Sequence, residues 1–252
     1  MGRVRSVVLS ILFATAGATL AAQTPFAASP RVLHFDPARL TPGQFSYETV
    51  LEHDISGTAL GTRVVTATST AYNGAPAWLL IEAKTGGSIA GLDTLFVDQS
   101  GLRPLHWSST IGRAHLGIEF RNDSAFGGTN APAGRHSVFS AIPPASMVNA
   151  AMLEMVLRTL PLNGAWEDST TTLSVSLNGV TPLPTRIAVI GEDNVRVPAG
   201  QFDCWVVSVR AADLTRGMYW VTKSDPMIVR SALDVPGLNG AQYVSSLTSV
   251  TR

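Results

Sequence analysis

The chain of 252 residues contains one cysteine, Cys204, which excludes an intrachain disulfide framework and any cysteine-rich zinc site. Charge is scarce: charged residues make up 14%, with 18 Lys+Arg against 18 Asp+Glu, so there is no basic excess for nucleic acid or an anionic membrane. The five histidines, His34, His53, His106, His115 and His136, show neither i,i+4 spacing nor an HExxH pattern. His106 and His115 would need adjacent strands to bring them together, and two ligands do not make a metal site. Gly127-Gly128-Thr129-Asn130 lacks the Lys-Ser/Thr of a phosphate-cradling loop. Gly86-Gly87-Ser88-Ile89-Ala90 lacks the closing glycine of a nucleophile elbow and sits between two β-prone runs, as a hairpin loop would. The adjacent carboxylates Glu167-Asp168 and Glu192-Asp193 would point to opposite faces of a strand. The expectation is therefore no catalytic residues, no metal, no cofactor and no nucleic-acid partner. The chain reads as a non-enzyme.

Long apolar runs are also missing, except at the N-terminus. Arg3 and Arg5 precede an Ala-rich apolar stretch from Val7 to Leu20, and Ala21-Ala22 supplies small residues for cleavage. The run is short for a membrane span, and no lipid-accepting cysteine follows it. Residues 1–22 read as a signal peptide, 23–43 as an N-terminal extension, and 44–252 as one β-rich domain. Removing Arg3 and Arg5 leaves 16 basic against 18 acidic residues, a net of −2. The expected location is periplasmic or secreted, with no transmembrane segment in the mature chain.

Short β-prone runs rich in Val, Thr and Ser recur between Gly, Pro, Asn and Asp, the pattern of an all-β protein. Strands are predicted over 44–52, 60–71, 77–84, 93–98, 105–109, 115–121 and 136–141, with 123–135 as a Gly/Ala-rich loop. Further strands are predicted over 171–178, 185–190, 194–197, 202–210, 217–222, 227–233 and 242–250. Pro198-Ala199-Gly200 reads as a three-residue hairpin loop closing on a glycine bulge. In the strand after it, Trp205, Val207 and Val209 share one face and Cys204, Val206 and Ser208 the other, so both sides should be covered.

One helix is predicted between Pro144 and Pro161, with Ser146 as N-cap and Glu154 pairing with Arg158 at i,i+4. Its Met-rich apolar face would pack against the sheet; the alternative is that it gates a greasy cavity. Cys204, mid-strand beside Trp205 and without a cationic neighbour in sequence, reads as a buried small hydrophobe rather than a nucleophile. Trp78, Trp107, Trp205 and Trp220 all fall in predicted strands. They either fill an ordinary core or line an apolar pocket enclosed by a curved sheet.

The runs Leu153–Leu162, Val197-Pro198-Ala199-Gly200-Gln201-Phe202-Asp203-Cys204, Tyr219-Trp220-Val221 and Tyr243–Leu247 resemble a bacterial envelope family known only as a domain of unknown function. The stretch from Asp98 to Pro104 is similar too. The resemblance covers roughly residues 44–250. It implies an exported, mainly all-β protein: a strongly curved antiparallel sheet or open half-barrel with one packed helix, similar in outline to lipoprotein carriers. It implies no activity and carries no catalytic residues.

Together these readings lead to a non-enzymatic envelope protein binding an apolar ligand such as a lipid or acyl chain, with Trp107, Trp205, Tyr219 and Trp220 as lining residues. A structural or adaptor role in envelope assembly is the alternative, its protein partner unknown. A hydrolase using Ser88 stands third, without a motif.

Overall fold

The computed structural model describes residues 33–53, 56–86, 90–121, 124–131, 134–141, 148–149, 152–176, 179–212, 216–235, 237–238 and 240–252. The expected signal peptide (residues 1–22), Ser88 and Ser146 lie outside them.

After a short turn of helix at Pro37–Arg39 come β1 (Gly43–His53), β2 (Ser56–Tyr72), β3 (Ala75–Thr85), β4 (Gly91–Asp98), β5 (Pro104–Ile111), β6 (Ala114–Phe120), β7 (Ser124–Ala131), β8 (Gly134–Ala141) and β9 (Val148–Asn149). Helix α1 (Leu153–Thr159) is followed by β10 (Glu167–Ser176), β11 (Gly179–Val197), β12 (Gly200–Ala211), β13 (Arg216–Thr222), β14 (Ile228–Asp234) and β15 (Gln242–Thr251). All fifteen strands form one sheet in the order β8-β7-β6-β5-β4-β3-β2-β1-β15-β14-β13-β12-β11-β10-β9. Neighbours pair antiparallel except β9, which runs parallel to β10. The N-terminal meander β1–β8 and the C-terminal meander β10–β15 are stitched through β1 and β15, so the chain's two halves share one continuous ladder. The sheet is not closed into a barrel, but it rolls far enough that β8 comes alongside β11.

The expected mainly antiparallel, curved sheet with one helix is what the chain forms, with four local corrections. The Gly/Ala-rich segment 123–135 is no loop: it contains β7, paired with β6 and β8. Its glycines misled because they serve close approach rather than a turn; a Cβ on Gly127 would sit 1.9 Å from the Gly117 carbonyl oxygen. The helix is shorter than predicted, since Val148–Asn149 pair with β10 instead of continuing it. Leu160 ends it in extended conformation, as a residue preceding proline must. The two strands predicted over 185–197 are one, and the apparent break is a register shift between Val189 and Gly191 that leaves Ile190 out of the pairing. Finally, Val197 pairs directly with Gly200, so the hairpin loop is Pro198-Ala199 alone, and Gly200 (φ +141°) heads β12 in a conformation that favours glycine.

Two main cores result. The larger lies inside the roll. Leu80, Leu95, Val97 and Trp78 come from the first meander, and Ile187, Val207, Val209, Tyr219, Val221 and Ile228 from the second, with α1 between them. Met155, Val156, Leu157 and Leu160 of the helix region are essentially fully buried there. Each contributes about 1.5–3 kcal/mol of burial. The second core collects Val195, Val197, Cys204, Val206, Trp220, Val229, Val244 and Leu247 with Phe45 and Tyr47. The β11–β12 hairpin bends over to complete it, and the Ala199 N–H donates to the Leu247 carbonyl at 3.0 Å. The strand Phe202–Val209 is therefore covered on both sides, as its alternating pattern required.

Candidate functional site

Cross-strand register defines the concave face. Tyr47 stands opposite Arg63 and Leu247, Ala67 opposite Leu80, Leu80 opposite Leu95, Leu95 opposite Trp107, and Trp107 opposite Ile118. On the second meander the row continues through Ser231, Tyr219, Val207 and Val189.

Polar ties hold α1 at the centre of this face. Arg63 on β2 donates to Glu82 on β3 and to Glu154 on α1, both at 2.6 Å, and Lys84 completes the set with Glu82 at 3.3 Å and Asp93 at 3.0 Å. Burial pulls the Arg63 pKa down, but Glu154 and Glu82 outweigh it and raise it well above its ordinary value. At Glu82 burial pushes upward, yet Arg63 and Lys84 win and hold the carboxyl below its usual range. The expected Glu154–Arg158 pair is not made. Arg158, on the helix's next turn, instead donates from Nε to the Pro226 carbonyl at 2.8 Å and lies over the Phe45 ring at 4.6 Å. Both charges find tertiary partners instead. The chain before β1 seals the helix end: the Asp36 N–H donates to Thr159 at 3.0 Å, and Arg39 donates to the Leu160 carbonyl.

Arg63, Glu82 and Lys84 escaped the sequence reading, although a signal exists. Trp78, Leu80, Glu82 and Lys84 alternate onto one face of a strand, and a carboxylate and an amine there require a buried counter-charge. Around the network, Phe45, Tyr47, Val65, Met155 and Ile228 line a crevice of about 40 Å³. That is room for ordered water beside the charged groups. Burial and the Glu154 carboxylate push the Tyr47 and Tyr219 phenols well above their ordinary pKa.

Of the four predicted lining residues, three lie in or against the inner core. Tyr219 is buried in the inner core, while Trp107 and Trp205 are partly buried against it, together with Trp78 and Trp166. The Trp205 ring carries the Lys223 ammonium at 4.4 Å. The Trp107 indole N–H is buried without an acceptor, as is the hydroxyl of Thr129 on β7. Trp220 alternates to the opposite face and joins the second core, where its indole donates to Asp193 at 3.0 Å. Cys204 is buried in that core, and burial, then Asp193 and Asp203, push its thiol up to about 12. His106 and His115 lie four positions apart on the β5–β6 ladder. His106 meets Glu119 at 2.7 Å, a carboxylate that also accepts from Tyr72. Among the described residues no group of three or more His, Cys, Asp or Glu is placed to hold a metal ion. No helix among them is long and apolar enough to cross a membrane.

Comparison with known proteins places the chain. The model of the family described as "Protein of unknown function (DUF3108)" matches residues 46–240. The chain belongs to that family. Among curated proteins, none matches the sequence. Its fold is similar to that of a β-barrel-like protein of the domain of unknown function DUF1849 from Brucella abortus, with TM-score 0.54 and 12% identity, covering 84% of this chain and 98% of that one. A candidate exported protein with a YmcC-like fold from Bacteroides fragilis aligns with TM-score 0.36 and 9% identity, over 83% of this chain and 95% of that one. A candidate lipoprotein from Parabacteroides distasonis aligns with TM-score 0.29 and 11% identity, over 88% of this chain and all (100%) of that one.

Proposed function

We propose that this member of the DUF3108 family is an exported, non-enzymatic envelope protein that holds an apolar ligand, a lipid or acyl chain, on the concave face of its rolled sheet. The observation that carries this reading is the convergence of Trp107, Trp205 and Tyr219 with the apolar side chains around α1. The sheet is not closed into a barrel, its concave side is lined with apolar side chains, and one seven-residue helix occupies that face. Because α1 fills the centre, the acyl chain takes the helix's position when α1 withdraws, rather than entering a standing void. The orphan Trp107 N–H and Thr129 hydroxyl supply donors for an ester or carboxyl oxygen of such a ligand. The N-terminal export pattern supports a periplasmic or secreted location.

Native mass spectrometry of the mature protein, isolated without detergent from an envelope fraction, tests the reading. A population heavier by the mass of a lipid is expected. Bare protein alone, with no uptake of added acyl chains, refutes it. An adaptor role through β8, the end strand of the ladder, is the second reading; it predicts instead a protein partner in an envelope pull-down.

A further inference from the structure

The outer surface of β11–β14 carries an arrangement that composition conceals. Register sets Arg186 opposite Arg210, and Arg210 opposite Arg216, so three guanidinium groups stand in a row across adjacent strands. Like charges directly opposite one another destabilise a sheet. Arg186 is neutralised by Glu167 through two hydrogen bonds of 2.8 and 2.7 Å. Neither Arg210 nor Arg216 is paired with a carboxylate among the described residues. Asp234, at the rim beside Arg216, accepts instead from Gln242 at 2.9 Å.

Beside this row the surface is concave. Ile190, Ser208, Met218 and Ala232, together with Arg210, Arg216 and the single acid Asp234, line a groove of about 200 Å³. Ile190, expelled from the ladder by the register shift in β11, is 58% exposed, the most exposed large apolar side chain among the described residues. Two unpaired guanidinium groups above an apolar floor, with an aliphatic side chain projecting next to them, match an amphiphile whose charged end is an oxyanion.

We propose that this groove seats the phosphate-bearing head group of an anionic phospholipid at a membrane surface, with Arg210 and Arg216 gripping the phosphate and Ile190 entering the acyl boundary. Charge complementarity selects the occupant: the bound phosphate removes the repulsion between two facing arginines, and a zwitterionic surface offers no net charge to do so. The site is separate from the concave face, so failure of the acyl-chain reading leaves it untouched.

Vesicle flotation of the mature chain provides the test, with phosphatidylcholine alone against phosphatidylcholine mixed with phosphatidylglycerol. Binding to the mixed vesicles only is expected, weakening as salt rises. The Arg210→Gln/Arg216→Gln double variant should bind them roughly five- to thirtyfold less well, at about fivefold per surface arginine. Ile190→Ser should weaken binding without altering the lipid preference. Asp234→Asn, which removes the one acid lining the groove among the described residues, should strengthen it and serves if the double variant does not fold. Equal binding to both vesicle types, no binding to either, or unchanged binding by both arginine and Asp234 variants overturns the proposal. Inorganic phosphate separates the sources: saturable phosphate binding without vesicle binding assigns the groove to a free oxyanion and overturns the lipid assignment.

Discussion

Replacing Arg63 with methionine should be among the most damaging single changes in this protein, for a reason that lies in the network rather than in volume. The side chain keeps most of its apolar stem in Arg63→Met, but Glu82 and Glu154 lose a shared partner at 2.6 Å while remaining four-fifths covered. Lys84, 3.3 Å from Glu82, continues to compensate one carboxylate; among the described residues no other cation is paired with Glu154. Removing one member of a buried ion pair costs about 3–5 kcal/mol. For a chain of this size that corresponds to a loss of roughly 6–20 °C in Tm. The double variant Arg63→Met/Glu154→Met should recover much of the loss, because replacing both charges by apolar groups is often close to neutral. Urea unfolding followed by tryptophan fluorescence gives both numbers, and a constant slope against denaturant certifies that stability alone changed. A single variant within about 1 kcal/mol of wild type, or a double variant as weak as the sum of the singles, would refute the idea that this network pins α1 to the sheet.

Acid should loosen the same contact. Glu82 has a folded pKa below its unfolded value, so the unfolded chain binds more protons and stability rises with pH. Its contribution is complete above the ordinary carboxylate range and is lost as pH falls through the depressed folded value. Glu82→Gln should flatten that acid limb in a stability-versus-pH series, and an unchanged limb would contradict the assignment. Gly127→Ala places a methyl group against the Gly117 carbonyl and should lower stability by more than the about 1 kcal/mol typical of point substitutions, read as a fall in urea midpoint. Cys204, with its thiol raised to about 12, should react with an aromatic disulfide reagent only at the rate of unfolding; rapid labelling of the native protein would show its core to be open.

The fold was legible where local pattern and tertiary demand agree. Thr- and Val-rich alternation over Leu60–Ala71 found β2, and the two-sided pattern from Cys204 to Val209 anticipated a strand between two cores. It failed where a residue's usual meaning is overruled by a neighbour distant in sequence. Gly127 serves backbone contact with Gly117, and Val148–Asn149 leave the helix to pair with β10. For the candidate site, the indoles were visible but their sidedness was not fully used: consecutive Tyr219 and Trp220 cannot share a face, and they fall in different cores. The partners of Arg63 and Glu154, 91 residues apart, and the arginine row on the outer surface depend on register between strands, which local spacing does not encode.

Quenching of tryptophan emission by an acyl chain brominated along its length most directly tests whether the concave face takes a lipid. A variant retaining only Trp107 or only Trp205 should lose much of its emission as the chain binds, because both indoles border the inner core. A variant retaining only Trp220, in the second core, should keep its emission. Saturable quenching confined to the inward-facing indoles is the predicted result; no quenching, or quenching of Trp220 alone, contradicts the account.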